Sequence, residues 1–408
     1  VALSYGIRRT SSEHYGQTAE EQAGAFNLPT AGLVKSLKSL SDDFNRFSFG
    51  ITYRRMAQFD QEILIQGRNP ESSVIDQWIA NSNGLSPDEL IPAGLLYEGM
   101  AWEGFLTDVA DSSTWAYISF ATGLDLDQQQ RVVRDGSRDE LMISFAGSHD
   151  HRLFYGLSIG VPFLNYTEEI TYAESGFDAN STIDRFDLVD RYNLTATGVN
   201  FNLGVQYRLT YWWRVGAAYR SPTWYATTGG FDTELNTNFR NGGGAGPIAY
   251  FNDQLAYGLT SPQRFLFSTA FVMGQQGFIN IEYRTSNLRN HRLRSDDFDL
   301  DGIEQAIDRQ LQREQTIRIG GEYVLENISL RAGYAMSSSP YSEEGSGLTL
   351  IQTMALGAGY AFSKFKIDVG WRLTRGSRNA FLYSPDFVAP SRLGETRSVL
   401  VAGMQFAL

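Results

Sequence analysis

Apolar and polar residues alternate over many stretches of this chain. In residues 199–208 every second side chain is apolar, and the residues between them are amides, glycine and arginine. The same alternation recurs in residues 317–323, 328–336 and 365–374. A period of two is typical of β-strands, because successive side chains point to opposite faces of a sheet. The pattern therefore predicts a chain that folds mainly into strands, each with one apolar face.

Strand length and the placement of aromatic residues indicate that lipid, rather than water or a second sheet, contacts those apolar faces. The stretches at residues 46–66 and 153–172 far exceed the ~5 to 6 residues of an ordinary strand and the ~9 to 11 of a tilted membrane strand. Aromatic residues gather at strand ends, around residues 207–213 and 360–365, as in interfacial girdles. Short and long connections also alternate, as they do in outer-membrane barrels.

The pattern predicts an all-β fold, a transmembrane antiparallel barrel of about fourteen strands with long extracellular loops that carry short helices. One domain would cover residues 1–408, with a polar loop after the first strand, a helical excursion at residues 67–136 and a glycine-rich loop around residues 242–246. A large soluble sandwich or propeller is the alternative, although no repeat at a ~40-residue blade period is present. The predicted strands are residues 1–9, 28–37, 46–66, 139–147, 153–172, 192–208, 212–225, 265–272, 278–285, 316–325, 328–336, 350–362, 365–374 and 397–408.

Composition narrows the function classes. The chain of 408 residues suggests two or three soluble domains by length alone, but a 13% aromatic content excludes disorder, and no apolar run reaches the ~18 residues of a spanning helix. A net charge of −12 with scattered Lys and Arg argues against a nucleic-acid partner. With no Cys, no Gly-x-Ser-x-Gly elbow, no His-x-x-x-His pair and no phosphate loop, we expect no enzyme.

Two amphipathic helical stretches are predicted within the excursion, the second starting at a capping box over residues 86–89. Their apolar residues either form an external groove that binds a hydrophobic ligand, or pack together and cap the barrel; the sequence leaves both interpretations open. The residues proposed to bind ligand are Val74, Trp78, Ile79, Ile91, Leu95, Trp102, Phe105 and Leu106.

This layout, with the helical excursion after the third strand and the sequence IGVPFLNY at residues 159–166, resembles the FadL-type outer-membrane transporters of long-chain fatty acids and other hydrophobic compounds. The resemblance implies passive uptake of a hydrophobic or amphiphilic, fatty-acid-like molecule, in the outer membrane of a Gram-negative bacterium, with the C-terminus periplasmic. Outer-membrane lipid and that small molecule would be the partners, and no cofactor would be required.

Family members carry an N-terminal hatch with an Asn-Pro-Ala signature. That signature is missing here and Val1 already starts a predicted strand, so we expect the hatch to lie upstream of residue 1 or to be absent. Two other functions stay open: a scaffold for a protein partner in a secretion or surface-protein complex, and a general diffusion porin.

Pro162 interrupts the long strand at residues 153–172 and removes one ladder hydrogen bond. The resemblance implies sideways release of substrate at a kinked strand, which makes Pro162 a candidate lateral opening; a local bulge is the alternative. Cations predicted to face the lumen are mixed with carboxylates, which suits internal ion pairs, although the arginine excess would also steer a carboxylate ligand. These cations are Arg208, Arg214, Arg220, Arg318, Arg331 and Arg372.

One segment has the spacing of a calcium-binding loop. Asp297, Asp299 and Asp301 supply hard oxygens, Ile303 offers its carbonyl, and Asp308 stands at the twelfth position. The alternative is an acidic helix N-terminus in a solvated loop. The spacing therefore predicts a possible structural calcium site.

Overall fold

In the computed structural model, eighteen strands form one sheet that closes on itself. The structure describes residues 1–38, 44–295, 300–342 and 350–406, without the side chains of 38, 44, 45, 253 and 254. The strands are β1 (Ala2–His14), β2 (Gln17–Lys38), β3 (Phe44–Gln58), β4 (Gln61–Asn69), β5 (Thr107–Asp111), β6 (Ala116–Ser119), β7 (Leu126–His149), β8 (Leu153–Ser175), β9 (Ile183–Arg208), β10 (Trp213–Arg220), β11 (Thr223–Phe239), β12 (Gly244–Ser261), β13 (Arg264–Val272), β14 (Gly277–Asn287), β15 (Arg292–Arg294), β16 (Arg313–Leu325), β17 (Ile328–Ser337), β18 (Ile351–Ala361), β19 (Phe365–Ala380) and β20 (Ser391–Phe406).

The sheet is an antiparallel barrel that crosses the membrane layer fourteen times. Four passes are interrupted and consist of two consecutive strands each: β3 with β4, β10 with β11, β12 with β13, and β14 with β15. The barrel closes where β1 pairs with β20 along residues 2–13. Closure pairs the backbone groups of both terminal strands, which is what lipid requires of a β-structure. Only the short β5–β6 hairpin lies outside this sheet in the described part of the chain.

The apolar faces of the strands form a belt of exposed side chains around the outer wall. It includes Leu3, Phe49, Ile143, Leu157, Leu203, Phe267, Ile281, Ile319, Leu356 and Leu400. Aromatic stacks mark one edge of the belt, where Trp212, Trp213 and Phe271 stack on one another near the turn between β9 and β10. We call this edge the turn end, and the opposite edge, which carries the long connections, the loop end.

Two predicted loops are largely strand in the structure, because the barrel rises far above the belt at the loop end. The region predicted as a polar loop after the first strand is the hairpin of β1 and β2, which turns at Tyr15 and Gly16 with positive φ angles of 43° and 77°. Residues 226–239 and 244–261 likewise pair as β11 and β12. The excursion is also shorter than predicted, since β7 already begins at Leu126. Outside the belt neither strand face contacts lipid, so no apolar alternation marks these segments.

Three short helices of the excursion cap the loop end: α1 (Val74–Ser82), α2 (Pro87–Leu90) and α3 (Leu96–Glu103). The predicted capping box is present, because Ser86 and Glu89 reciprocally bond at the start of α2. A further helix, α4 (Asp301–Gln310), lies between β15 and β16. Among the described residues, the helices are all too short or too polar to cross a membrane.

Candidate functional site

The excursion helices form an apolar cap inside the loop end of the barrel. Val74, Trp78 and Leu106 are at most 7% exposed and belong to one buried cluster, together with residues of the barrel wall. The Trp78 ring lies 5.8 Å from that of Phe186 of β9. Three of the predicted ligand-binding residues therefore pack against the barrel wall.

The remaining predicted ligand-binding residues lie closer to the surface. Ile79 packs at the margin of the cluster, and Ile91 and Leu95 are half-buried. Trp102 and Phe105 are 37% and 57% exposed. The structure therefore divides the predicted set: part of it is the core of the cap, and the exposed part faces outward.

A buried carboxylate fixes the start of α1. Glu174 lies at the loop end of β8, well beyond the apolar belt, and accepts hydrogen bonds from the Val74 amide (2.9 Å) and from the Ser73 hydroxyl. Gln128 Nε2 donates to the same carboxylate at 2.9 Å. Burial raises the pKa of Glu174 above its ordinary value. Together with this network, the carboxylate anchors α1 to β7 and β8.

The barrel wall is interrupted between β2 and the pass formed by β3 and β4. β2 pairs with β3 only from Thr30 to Lys38, and the rest of β2 pairs with β1 alone. β4 pairs with β7 and with no other strand of the described chain. Instead, the Leu64 carbonyl of β4 accepts a hydrogen bond of 2.5 Å from Ser12 Oγ on the inner face of β1. The second half of the pass therefore bends into the lumen and leaves a break in the wall.

Polar side chains bridge the base of this break. Arg55 of β3 forms a bidentate ion pair with Asp139 of β7, at 2.7 and 3.0 Å, and donates to Asn27 Oδ1 of β2 at 2.5 Å. Asn27 Nδ2 in turn donates to Gln58 Oε1. A cavity of about 340 Å³ adjoins these residues and continues to the lumen near Arg397. The base of the break therefore borders a cavity inside the barrel.

Pro162 lies on the inner face of β8, where it is buried, and the wall around it is nearly continuous. β7 and β8 stay paired through Glu140 and Pro162. On the other side, the β8–β9 ladder skips two residue pairs and resumes in the same register from Phe163 to Thr197. The structure therefore places a local ladder defect at Pro162, and the wide discontinuity lies at β2 and β4 instead.

The predicted lumen cations fall into two groups. Arg220 pairs with Glu140 at 2.5 Å, Arg318 with Glu282 at 2.6 Å, and Arg331 with Glu322 and Asp368. Within the described chain, no carboxylate pairs with Arg208, Arg214 or Arg372, although Arg208 lies 5.9 Å from the centre of the Tyr211 ring. Internal ion pairs therefore neutralise only part of the basic lumen.

The calcium loop lies partly outside the described residues, since Asp297 and Asp299 fall in the segment 296–299. Asp301 starts α4, Ile303 is 51% exposed, and Asp308 Oδ1 lies 3.8 Å from Arg292 Nη1. Where the structure describes the chain, no cluster of three or more His or acidic side chains has the geometry to hold a metal. Calcium binding stays a prediction.

The sequence analysis missed the two carboxylates that organise the interior, Glu140 and Glu174. Neither belongs to a motif, and their partners are distant in sequence, as with Arg220 and Asn200 for Glu140. The one feature of the local sequence that points to them is the alternation of apolar and polar residues, which places both on the lumen face of β7 and β8. The break at β4 also lacks a signal, because residues 46–66 alternate as if they formed one strand.

Comparison with known proteins agrees with this architecture. A family model for outer membrane protein transport proteins (OMPP1/FadL/TodX) matches residues 149–400. The crystal structure of the P. putida toluene transporter TodX aligns with a TM-score of 0.52 at 12% identity, covering 100% of this chain and 89% of that one. A Pseudomonas aeruginosa FadL homologue aligns with a TM-score of 0.54 at 12% identity, covering 99% and 89%.

At such low identity the two structures support the fold alone. No curated protein sequence matches the chain. The family model, however, matches more than half of the residues, and the closed barrel of fourteen passes agrees with it. The chain therefore belongs to the OMPP1/FadL/TodX family of outer-membrane transport proteins, which are β-barrels of Gram-negative bacteria.

Proposed function

We propose that this protein passes hydrophobic or amphiphilic small molecules across the outer membrane without chemical change, and releases them sideways through the break between β2 and β3–β4. The loop end would face the exterior and the turn end the periplasm. The observation that carries the proposal is the break itself, because a closed wall pairs every backbone edge and offers lipid no lateral access to the lumen.

The position of β4 supports a route from the cap to the break. Ile63 and Ile65 of β4 are 2% exposed and belong to the same apolar cluster as Trp78. The free edge of the same strand borders the break. One continuous apolar cluster therefore leads from the cap to β4 and its free edge. Because the cap core is tightly packed, passage requires its helices to move apart.

The ligand class follows from both surfaces of this route. An apolar cap favours a hydrocarbon chain or ring. The polar bridge of Asn27, Arg55 and Asp139 at the base of the break favours a molecule with a polar head as well. These features support a fatty-acid-like amphiphile, whereas the fold shared with TodX, a toluene transporter, favours a simple aromatic hydrocarbon.

Cross-linking tests the lateral route, and the chain has no cysteine that would interfere. In the double variant Asn27→Cys, Gln58→Cys, a short, cleavable, thiol-reactive cross-linker joins the two cysteines and closes the break. We expect uptake of labelled decanoate or toluene into proteoliposomes to fall to background and to recover on cleavage. The matched control joins Ser144→Cys and Ser158→Cys, which are register partners in the continuous wall, and should leave uptake unchanged.

Unchanged uptake by the linked Asn27–Gln58 variant would refute the lateral route. The choice between decanoate and toluene as the transported molecule identifies the ligand class. Single-channel recordings in planar bilayers separate this function from that of a diffusion porin, because a lateral carrier of apolar molecules should give flat traces.

A further inference from the structure

Two arginines stand directly opposite each other inside the barrel. Arg220 of β10 and Arg264 of β13 are register partners. Register partners on adjacent antiparallel strands point to the same face, and Arg220 reaches Glu140 in the lumen, so Arg264 also faces the lumen. Like charges in this arrangement repel and destabilise the pair of strands unless a counter-charge is present.

Among the described residues, only one of the two cations forms an ion pair. Glu140 pairs with Arg220 at 2.5 Å and with Arg54 at 2.8 Å, so its two oxygens are already occupied. In the part of the chain that the structure describes, Arg264 has no hydrogen bond and no ion pair, although it is half-buried. An uncompensated guanidinium in a confined interior is costly.

Two more arginines border the same space. Arg138 of β7 and Arg284 of β14 are close enough to repel Arg264 electrostatically, and Glu314 of β16 is close enough to offset part of that repulsion. Arg284 pairs with Glu314 at 3.1 Å, whereas no carboxylate of the described chain pairs with Arg138. Counting Arg54, five guanidinium groups therefore share the two carboxylates of Glu140 and Glu314. This local excess of positive charge contrasts with the net charge of −12 of the whole chain.

We propose that this arginine cluster, defined as Arg138, Arg220, Arg264 and Arg284, binds an oxyanion in the lumen. Arg138 and Arg264 supply unpaired donors, and the planar guanidinium group matches carboxylate, sulfate and phosphate oxygens with two parallel hydrogen bonds. The oxyanion is either a free inorganic ion or the headgroup of an amphiphile in transit. The second source rests on the proposed function; the first does not.

Ligand-dependent thermal stability of the full chain in an uncharged detergent tests this site. Sodium sulfate is compared with sodium chloride at equal ionic strength, and decanoate with decanol below their aggregation concentrations. A ligand that binds only the folded protein raises the unfolding temperature with the logarithm of its concentration once that concentration exceeds the dissociation constant. General stabilisation by sulfate, through its exclusion from the protein surface, instead raises the unfolding temperature in proportion to the sulfate concentration and is common to all variants. We expect this logarithmic stabilisation by sulfate, by decanoate or by both, and none by decanol.

Arg264→Gln and Arg138→Gln should each raise the oxyanion concentration needed for this stabilisation about tenfold or more, which corresponds to the loss of one charge-assisted hydrogen bond. Arg264→Gln also relieves the repulsion with Arg220, so the variant should fold, with an unfolding temperature in chloride no lower than that of the unmodified protein. Arg9→Gln is the matched control, because it removes the same charge from an exposed residue whose one side-chain partner among the described residues is Gln22 on the outer wall.

The two sources give different results. A response to sulfate that is lost in Arg264→Gln identifies a free-oxyanion site, and a response to decanoate alone identifies a headgroup site. If neither lumen variant changes the response, or if Arg9→Gln changes it equally, the proposal is wrong. Stabilisation by sulfate could depend on Arg264 while uptake by the cross-linked Asn27–Gln58 variant is unimpeded. That pair of results would overturn the lateral route but not the anion site.

Discussion

Glu140 joins its own pass, β7, to three others, and its replacement by Gln removes the charge while it keeps the shape. The Glu140 side chain is 0% exposed. It accepts hydrogen bonds from Arg54 of β3 at 2.8 Å, from Arg220 of β10 at 2.5 Å and from Asn200 Nδ2 of β9 at 2.8 Å. In Glu140→Gln, two guanidinium groups lose their counter-charge, and the new amide hydrogens face donors.

The expected loss follows from the burial of each partner. Breaking a buried ion pair by removing one charge costs about 3 to 5 kcal/mol. Because the Arg54 side chain is 40% exposed, water screens part of that pair. The Arg220 side chain is only 17% exposed and retains most of its penalty. We therefore expect Glu140→Gln to lower the free energy of unfolding by about 3 kcal/mol, the lower end of that range.

Urea-induced unfolding of the lipid-reconstituted barrel, followed by tryptophan fluorescence, measures this loss. Glu62→Gln is the matched control, since the Glu62–Arg131 pair joins the same class of groups at 33% and 54% exposure. An exposed pair of this kind contributes about 0.5 kcal/mol or less. If Glu140→Gln costs no more than Glu62→Gln, the interior network contributes nothing to stability. Adding Arg264→Gln to Glu140→Gln should restore part of the loss, because it removes one uncompensated cation.

Three further results are expected. Trp78→Ala should lower the free energy of unfolding by about 3 to 5 kcal/mol and expose the excursion to proteolysis. Trp102→Ala, at a 37% exposed position, should lower it far less, and equal losses would contradict the packing of the cap. Burial raises the pKa of Glu174, so the folded protein retains a proton that the unfolded chain releases. The free energy of unfolding should therefore fall as the pH rises from 4.5, the ordinary pKa of a glutamate, toward the raised pKa of Glu174, and Glu174→Gln should abolish that slope in thermal scans. If residues 297–308 bind calcium, millimolar Ca²⁺ should raise the unfolding temperature, and the double variant Asp297→Asn, Asp299→Asn should not respond. An identical shift in the variant would exclude this loop as the calcium site.

The membrane-spanning part of the barrel could be predicted from local pattern. Along residues 199–208 and 365–374, each apolar side chain contacts lipid and each polar one faces the lumen, so the period of two reports the environment directly. The same reasoning failed for β1 and β2 beyond the belt. There the outer face contacts water and the inner face carries buried polar residues such as Ser12 and His14, which leaves no hydrophobic contrast to detect.

The candidate site was predictable only in part. Val74 and Trp78 were recognised as one apolar face, because helical spacing is local. Whether that face binds a ligand or packs on the barrel depended on Phe186, a residue more than a hundred positions away. Likewise, Pro162 was visible in the sequence as a break in pairing. The wider break at β4 was invisible, since it arises from strands that diverge rather than from a residue that cannot pair.

By itself, the sequence determined the class of fold, the approximate number of passes and the basic character of the lumen, because alternation and composition depend on neighbours along the chain. The tertiary structure alone decided which charges are neutralised. Glu140 and Arg220 meet across 80 residues, and within the described chain Arg264 forms no ion pair because the register places it opposite a cation already paired. Register and the inward bend of β4 are set by the closure of the whole sheet, so no segment of the sequence contains them.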